Sequence, residues 1–241
     1  MISASGQCQW SVPVIVYGRN AVREALRGRR TVARVWVDKN AAREPWLQGI
    51  DHNVVSPADL EHLCGSPDHQ GVCGDAGDYP YADAASLITS GDDALVVVLD
   101  EVQDPRNLGA VARVAETAGA AGLVIPERRA TQVTPVVCKT SAGAVEHLPV
   151  ARVRNIADYL AQARDAGAWI YGADADGVPY DQPDYSGRKV LVLGSEGRGL
   201  RPRVAQACDQ LIALPVRGKV ESLNVSTAAA ALVYGILQSD R

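Results

Sequence analysis

The chain has 241 residues, of which 47% are hydrophobic and 22% are charged, and its formal net charge at pH 7 is −4. This is the composition of an ordinary globular protein, with room for one large domain or two smaller ones. The acidic balance excludes a uniformly basic nucleic-acid-binding protein, so any attraction for phosphate has to be local. No apolar run is long enough to span a membrane and the N-terminus has no signal-peptide pattern, so we expect a cytoplasmic protein without a membrane partner.

Cysteine and histidine spacing predicts neither a disulfide framework nor a metal site. The five cysteines are scattered and never form a C-x-x-C pair, and the four histidines have no second ligand at metal-binding spacing. We therefore predict that the chain binds no metal. The cysteines are Cys8, Cys64, Cys73, Cys138 and Cys208.

The first part of the chain alternates short strand-like and helical segments, which is a compact α/β pattern. The segment 74–80 that follows is dense in turn residues and acidic groups, as linkers are. We predict a small N-terminal domain over residues 1–78, a linker over 79–92 and a larger domain over 93–241.

Strand-like segments also alternate with helical ones in the larger domain, which predicts a parallel sheet with helices on both faces. Ligands of such sheets bind beyond the carboxyl ends of the strands, where Gly194 and Pro215 lie in this sequence. The last helix is rich in small residues that would let another helix approach closely. The predicted strands are 94–99, 122–125, 169–171, 189–193 and 210–214.

A well-delimited helix follows the first of these strands. Asp104 and Pro105 are residues typical of a helix start, and Gly119 is typical of a helix stop. The apolar residues of the segment recur at helical spacing and predict a buried face. Arg113 falls on the opposite face, where it is available to solvent or to a ligand.

Two polar junctions follow later strands. The spacing Gly-x-x-Gly-x-Gly over 194–199 is neither the dinucleotide fingerprint nor a Walker A loop, so nucleotide phosphate binding is not supported. The Ser-Leu-Asn cluster at 222–224 precedes the last helix, whose first N–H groups are unpaired. It could hold a ligand, or Ser222 could be only the N-cap of that helix.

Three segments, in this order, resemble the three motifs of the SpoU/TrmH family of RNA ribose 2'-O-methyltransferases in the SPOUT superfamily. They are the helical segment 100–119, the glycine-rich segment 193–200 and the segment 214–226 before the last helix. Residues 17–26 and 69–72 resemble the small N-terminal substrate-binding domain found in one branch of that family. The resemblance extends to the type that methylates a guanosine of 23S rRNA. It implies a C-terminal SPOUT parallel-sheet domain with a deep trefoil knot, a small α/β N-terminal RNA-reading domain, and a homodimer that associates through the last helix.

The same resemblance implies S-adenosylmethionine as the cofactor and attack of a ribose 2'-oxygen on its methyl group. A guanidinium has a pKa above about 12 and is a poor base, so we expect Arg113 to position the substrate. The implied catalytic residues are Asn107, Arg113, Glu196, Ser222 and Asn224. The implied cofactor contacts are Gly194, Leu214 and Leu223, with Gly172 and Ala173 as further candidates, and the implied RNA contacts are Arg19, Arg23, His69 and Gln70.

Two alternatives stay open from the sequence. One is a methyltransferase that modifies tRNA, or the rRNA site that confers antibiotic resistance in related enzymes. The other is a nonenzymatic RNA-binding or ribosome-assembly protein that kept the fold and the cofactor pocket. The presence of Asn107, Arg113 and Asn224 favours an enzyme.

Overall fold

The structure, a computed structural model, describes residues 14–195, 197–219 and 222–239. These residues form two compact units that divide after Pro80. Within the described ranges, no helix is long and apolar enough to cross a membrane.

The N-terminal unit is built on a four-stranded mixed sheet whose strands lie in the order β1-β4-β2-β3. Strand β4 pairs antiparallel with both β1 and β2, and β2 pairs parallel with β3. The inside of β4 is tightly packed, because a Cβ at Gly74 would lie 3.3 Å from Cγ1 of Val22. The strands are β1 (Ile15–Tyr17), β2 (Arg34–Val37), β3 (Asn53–Val54) and β4 (Val72–Asp75).

Two helices complete this unit, α1 (Arg19–Arg27) and α2 (Pro57–Cys64). Helix α2 starts at a capping box, in which Ser56 accepts from the Asp59 backbone N–H and Asp59 accepts from that of Ser56. Its Leu60 is fully buried in a cluster with Tyr17 and Cys73 of the sheet. Burial of that apolar face fixes the helix on the sheet.

The C-terminal unit is built on a six-stranded sheet in the order β10-β8-β9-β5-β6-β7, in which every pair of neighbours is parallel. The prediction of an α/β fold with a parallel sheet is therefore confirmed, while the knot stays a prediction. Strands β5 and β9 are buried along their whole length at the centre. The strands are β5 (Leu95–Leu99), β6 (Gly122–Pro126), β7 (Val150–Val153), β8 (Trp169–Pro179), β9 (Lys189–Leu193) and β10 (Gln210–Ala213).

Six α-helices of this unit lie in the described part of the chain. The first, α3, falls within the predicted linker 79–92, and its Leu87 and Ile88 are buried in the core of the unit. Helix α8 packs along α4, where the Tyr234 hydroxyl donates to Oγ1 of Thr117. The helices are α3 (Ala84–Ile88), α4 (Pro105–Thr117), α5 (Pro135–Thr140), α6 (Ile156–Asp165), α7 (Pro202–Gln206) and α8 (Val225–Ser239).

The order of strands in the larger sheet reverses at β5. From β5 the chain moves outward through β6 to β7. The last three strands lie on the other side of β5, with β9 next to β5, then β8, and β10 at the edge. The loops that follow β5 and β9 consequently leave the same edge of the sheet side by side. Such a switch point leaves a crevice where ligands of parallel sheets bind.

Candidate active site

The loop after β5 leads into α4 and places Asn107 in the first turn of that helix. Asp104 is the N-cap, since its Oδ1 accepts from the Arg106 backbone N–H at 2.8 Å, and Pro105 occupies the first helical position. Asn107 is therefore not needed as a cap. It is largely buried, with 8% of its surface exposed, although it carries a polar amide.

The amide of Asn107 meets Asn224 at the start of α8. Nδ2 of Asn224 donates to Oδ1 of Asn107 at 3.1 Å. Oδ1 of Asn224 also accepts from the Ser226 backbone N–H at 2.9 Å, so Asn224 caps α8. Ser222 is exposed and lies two residues before this cap, so the alternative that Ser222 is only an N-cap is wrong.

The glycine-rich loop after β9 folds back on itself. Ser195 and Gly199 exchange two backbone hydrogen bonds of 3.0 to 3.1 Å, and Gly199 has a φ of 64°. A Cβ at Gly194 would lie 2.2 Å from the backbone carbonyl carbon of Gly199, so only glycine fits there. Glu196, a predicted catalytic residue in this loop, lies outside the described residues.

A buried ion pair fixes this loop to the end of β5. The side chain of Asp100 is fully buried, and its Oδ1 accepts from Nε and Nη2 of Arg201 at 2.8 and 2.6 Å. Its Oδ2 accepts from the Arg201 backbone N–H at 3.0 Å. These bonds raise the pKa of Arg201. A carboxylate that accepts three charge-assisted or backbone bonds is a rigid anchor, so the two loops hold each other in place.

A cleft of about 410 Å³ opens between the ends of β8, β9 and β10 and the start of α8. We call it the cofactor cleft. Its lining is mostly small and apolar, so polar ligand groups would meet backbone N–H and C=O groups. Four of the five predicted cofactor contacts line it: Ala173, Gly194, Leu214 and Leu223.

Gly172 is the predicted cofactor contact that the structure does not place on the lining. A Cβ there would lie 2.8 Å from Sγ of Cys208 and 2.8 Å from side-chain carbons of Leu200 and Leu211. Gly172 is therefore needed for packing behind the cleft. Burial also raises the pKa of Cys208 to about 12, which keeps that thiol protonated.

A second cleft, of about 360 Å³, lies between the loops that follow β5 and β9. We call it the charged cleft, because acidic and basic side chains share its wall. It meets the cofactor cleft at Ser195, which lines both. Its lining is Glu101, Val102, Gln103, Asp104, Asn107, Ser195 and Arg198. A polar ligand in it would be adjacent to a ligand in the cofactor cleft.

Arg113 lies away from both clefts within one chain. It is exposed on α4, six residues after Asn107, which is about 9 Å along the helix axis. Its backbone carbonyl accepts from the Thr117 hydroxyl, and Thr117 contacts the half-exposed Tyr234 of α8. Arg113 therefore lies beside an exposed face of α4 and α8.

Comparison with known proteins decides the family. The family model described as "SpoU rRNA Methylase family" matches residues 94–234, which is more than half of the chain. The chain belongs to the SpoU rRNA methylase family. A second model, described as "RNA 2'-O ribose methyltransferase substrate binding", matches residues 15–82. The predicted family and enzyme class, an RNA methyltransferase, are confirmed.

Relatives and solved structures support membership of the SpoU family over nearly the whole chain. YacO of Bacillus subtilis (strain 168), named as a TrmH family tRNA/rRNA methyltransferase, is 38% identical over 92% of this chain and 94% of its own. A tRNA/rRNA methyltransferase of Mycolicibacterium vanbaalenii is 38% identical over 94% of this chain and 77% of its own. The SpoU methyltransferase AviRb of Streptomyces viridochromogenes superposes with a TM-score of 0.80 at 25% identity, covering 95% of this chain and 90% of AviRb. A structure of AviRb in complex with AdoMet gives a TM-score of 0.79 at 25% identity, covering 93% and 89%.

The N-terminal unit, which matches the substrate-binding model, brings three of its four predicted RNA contacts together. The Nε of Arg19 donates to the backbone carbonyl of Gln70 at 3.2 Å, and its Nη1 lies 2.6 Å from Oε1 of Glu44. His69 is buried, and its Nδ1 accepts from the Gly71 backbone N–H at 3.0 Å. The ring therefore supports the turn that presents Gln70.

Arg23 lies one turn after Arg19 on α1, so both arginines point to the same side of that helix. Its Nε donates to Oε1 of Glu24 at 2.9 Å. Sequence reasoning missed a further candidate on β2, where the guanidinium of Arg34 lies 5.6 Å from the ring centroid of the half-buried Trp36. Alternate residues of a strand lie on the same face, so Arg34 and Trp36 can meet. The sequence could indicate this contact only if the exposed face of β2 were already known.

Sequence reasoning also missed two features of the catalytic unit. Asp174 lines the cofactor cleft at the point where the β8–β10 register shifts, a bulge that no local pattern predicts. The Asp100–Arg201 pair joins residues that are far apart in sequence. The sequence signal for Asp100 was an acidic residue directly after a strand. The sequence did not show which arginine of the glycine-rich loop would pair with it.

Proposed function

We propose that the protein is an S-adenosylmethionine-dependent RNA ribose 2'-O-methyltransferase that acts on a guanosine of 23S rRNA. The observation that carries the proposal is the pair of adjoining clefts at the switch point of the sheet. One cleft is apolar and the other is charged, and the Asn224–Asn107 hydrogen bond lies at their junction. A two-substrate transfer requires two sites in contact, with polar groups between them.

The cofactor cleft fits S-adenosylmethionine in size and chemistry. Its volume is within the range of small-molecule sites, and glycine at 194 leaves backbone groups open to the cleft. We propose that Ala173, Gly194, Leu214 and Leu223 hold the adenosine part. When bound there, the cofactor supplies an electrophilic methyl group.

The residues at the junction hold the acceptor nucleotide. The hydrogen bond between Asn107 and Asn224 fixes the orientation of both amides, and we propose that these amides hold a ribose hydroxyl. Ser222 lines the cofactor cleft beside them. We assign Asn107, Ser222, Asn224 and Glu196 to positioning the 2'-hydroxyl for the transfer.

We propose a homodimer formed through the exposed face of α4 and α8. Tyr234 is 44% exposed on this face although it is a large aromatic residue. Its hydroxyl donates to Thr117, and Arg113 lies one helical turn before Thr117 on α4. A two-fold axis at this face would bring Arg113 of one chain toward the second chain. This explains why Arg113 lies off the clefts of its own chain.

We propose that the N-terminal domain, predicted over residues 1–78, reads the RNA through Arg19, Arg23 and Gln70, with the buried His69 supporting the turn that presents Gln70. A ribosomal or transfer RNA substrate places the enzyme in the cytoplasm. Arg19 and Arg23 supply donors for phosphate on one side of α1, and Gln70 supplies an amide for a base edge. The substrate-binding family model over residues 15–82 supports this role.

The test is transfer of labelled methyl from S-adenosylmethionine to large-subunit rRNA and, separately, to tRNA. We expect the wild type to label rRNA, with the label recovered as 2'-O-methylguanosine after digestion to nucleosides, and we expect Arg113→Ala and Asn224→Ala to label neither RNA. Labelling of tRNA alone would replace the rRNA substrate by tRNA. Cofactor binding without any transfer would favour the nonenzymatic RNA-binding alternative.

A further inference from the structure

Two residues at the charged cleft have a backbone conformation that side chains disfavour. Glu101, after β5, and Arg129, after β6, both have a φ of 61°. Among the described residues, the other non-glycine residues with positive φ are Gln70 and Ala142. Such strain persists where the side chain itself is needed, because glycine would adopt the same conformation freely.

The two strained residues contact each other. Nη1 of Arg129 lies 3.8 Å from Oε1 of Glu101, and Nη1 of Arg201 lies 3.3 Å from the same atom. These are ion-pair distances without hydrogen-bond geometry, and within the described residues no hydrogen bond reaches that oxygen. Because Asp100 holds Arg201, the carboxylate of Glu101 has one fixed guanidinium at 3.3 Å and the exposed guanidinium of Arg129 at 3.8 Å.

The loop that carries Arg129 is itself fixed to the wall of the charged cleft. The Thr131 backbone N–H donates to the carbonyl of Val102 at 3.1 Å, and Nε2 of Gln132 donates to the carbonyl of Pro126 at 3.1 Å. The side chain of Arg129 is nevertheless 79% exposed, whereas that of Glu101 is 18% exposed. The backbone of this loop is thus anchored, and the guanidinium of Arg129 is exposed beside Glu101.

We propose that Arg129 binds a phosphate of the RNA backbone next to the nucleotide that enters the charged cleft, and that Glu101 is its positioning residue. The inference rests on the proposed function and adds a substrate contact to it. Arginine suits phosphate because its planar fork donates two parallel hydrogen bonds. Arg198, which lines the charged cleft, lies on the loop after β9. Together they give an acidic chain the local positive rim that RNA binding requires.

Glycine substitutions test the proposal, because they relieve the strain and remove the side chain in one step. We expect Arg129→Gly to unfold at the same or a higher temperature than the wild type, yet to bind a short single-stranded RNA oligonucleotide about tenfold more weakly. The slope of log K against log salt concentration should fall by about 0.7, the loss of one phosphate contact. A structural role would not change that slope. Ala142→Gly is the matched control, since it relieves the same kind of strain on another loop and should leave RNA binding unchanged.

Glu101→Gly separates positioning from simple repulsion. Removing a carboxylate raises the local positive potential, so a residue that only repels phosphate would bind RNA more tightly when replaced. A positioning residue instead lowers kcat/KM for rRNA, and we expect about a fivefold decrease with cofactor affinity unchanged. Tighter RNA binding with unchanged or higher kcat/KM would overturn the assignment of Glu101.

The two levels of the proposal fail in different ways. A wild type that binds and methylates RNA, with an Arg129→Gly variant of unchanged salt slope, overturns the phosphate contact alone. A wild type that binds the oligonucleotide but transfers no methyl overturns the proposed function, and the salt slope still decides the contact. A wild type that binds no RNA overturns both.

Discussion

The two clefts of the C-terminal unit share Ser195 but are built on opposite principles. The cofactor cleft is lined by small and apolar residues, so under the proposed function its shape and its backbone groups would bind the cofactor. The charged cleft is lined by Glu101, Asp104 and Arg198, and its loops are held together by ion pairs. If the proposed function holds, shape selects the ligand of the cofactor cleft and charge selects the ligand of the charged cleft. A change of volume should therefore damage the first cleft, and a change of charge the second.

The largest effect is expected from a single methyl group in the cofactor cleft. In Gly194→Ala the added Cβ would lie 2.2 Å from backbone atoms of Gly199, which cannot move without opening the hairpin-like loop. We expect a loss of cofactor affinity of at least about a hundredfold, because the wall of the cleft itself is displaced. Titration calorimetry with S-adenosylmethionine measures it.

The control for Gly194→Ala is Gly91→Ala. Gly91 has open space around its Cα, and no positive φ requires glycine there. We expect this variant to bind the cofactor as the wild type does. Cofactor affinity that is equal in both variants and the wild type would show that the backbone of the glycine-rich loop does not shape the cleft.

The next effect concerns the junction of the two clefts. Asn224→Asp keeps the oxygen that caps α8 but removes the N–H that donates to Asn107. We expect a decrease of about a hundredfold in kcat, within the range for loss of one positioned donor, and a shift of thermal stability below about 1 kcal/mol. Single-turnover methyl transfer and thermal unfolding measure the two quantities.

Asn224→Ala removes both the cap and the donor and is the comparison for Asn224→Asp. It should lose the same activity and, in addition, about 1 kcal/mol of stability. If Asn224→Asp retained full activity, the Asn107–Asn224 bond would be a structural contact of α8, and the junction would have no catalytic role.

A smaller recovery of activity tests whether the site needs a second chain. Inactive Arg113→Ala and Asn224→Ala proteins are mixed and allowed to exchange subunits. If Arg113 serves the partner's clefts, each mixed dimer has one intact site, so about a quarter of wild-type activity returns. If Arg113 serves its own chain, every site in the mixture keeps a defect. No recovery, in a sample whose subunit exchange is verified, would place Arg113 in its own chain's site.

Sequence patterns predicted the elements that carry the site and missed those that depend on distant contacts. Helix α4 begins at Pro105 after the Asp104 cap and ends two residues before Gly119, as its local signals indicate. Strand β4, by contrast, covers Val72–Asp75, so the turn-rich segment 74–80 begins inside a buried strand. Its Gly74 packs tightly against Val22 of α1, and a contact between separate elements leaves no local pattern.

The same limit applies to the two clefts. The cofactor cleft could be predicted because its glycine and polar junctions follow strands, and strand ends of a parallel sheet converge. The charged cleft depends on Glu101 and Arg129, whose left-handed backbone has no sequence signature when the residue is not glycine or asparagine. It also depends on the ion pair between Arg201 and Asp100, two residues that come together only in the folded chain.

The smallest effect separates binding from stability at the mouth of the cofactor cleft. Leu223 lines the cleft and is 51% exposed, so Leu223→Ala loses little core packing. We expect cofactor affinity to fall about fivefold, the value of roughly 1 kcal/mol of apolar contact, with the unfolding temperature unchanged. Val54→Ala, at a residue 54% exposed on β3, should change neither quantity. A shape-selective cleft predicts that the loss follows the removed volume, so Leu223→Met should bind as the wild type does. Wild-type affinity in both Leu223→Ala and Leu223→Met would mean that Leu223 acts through its backbone alone.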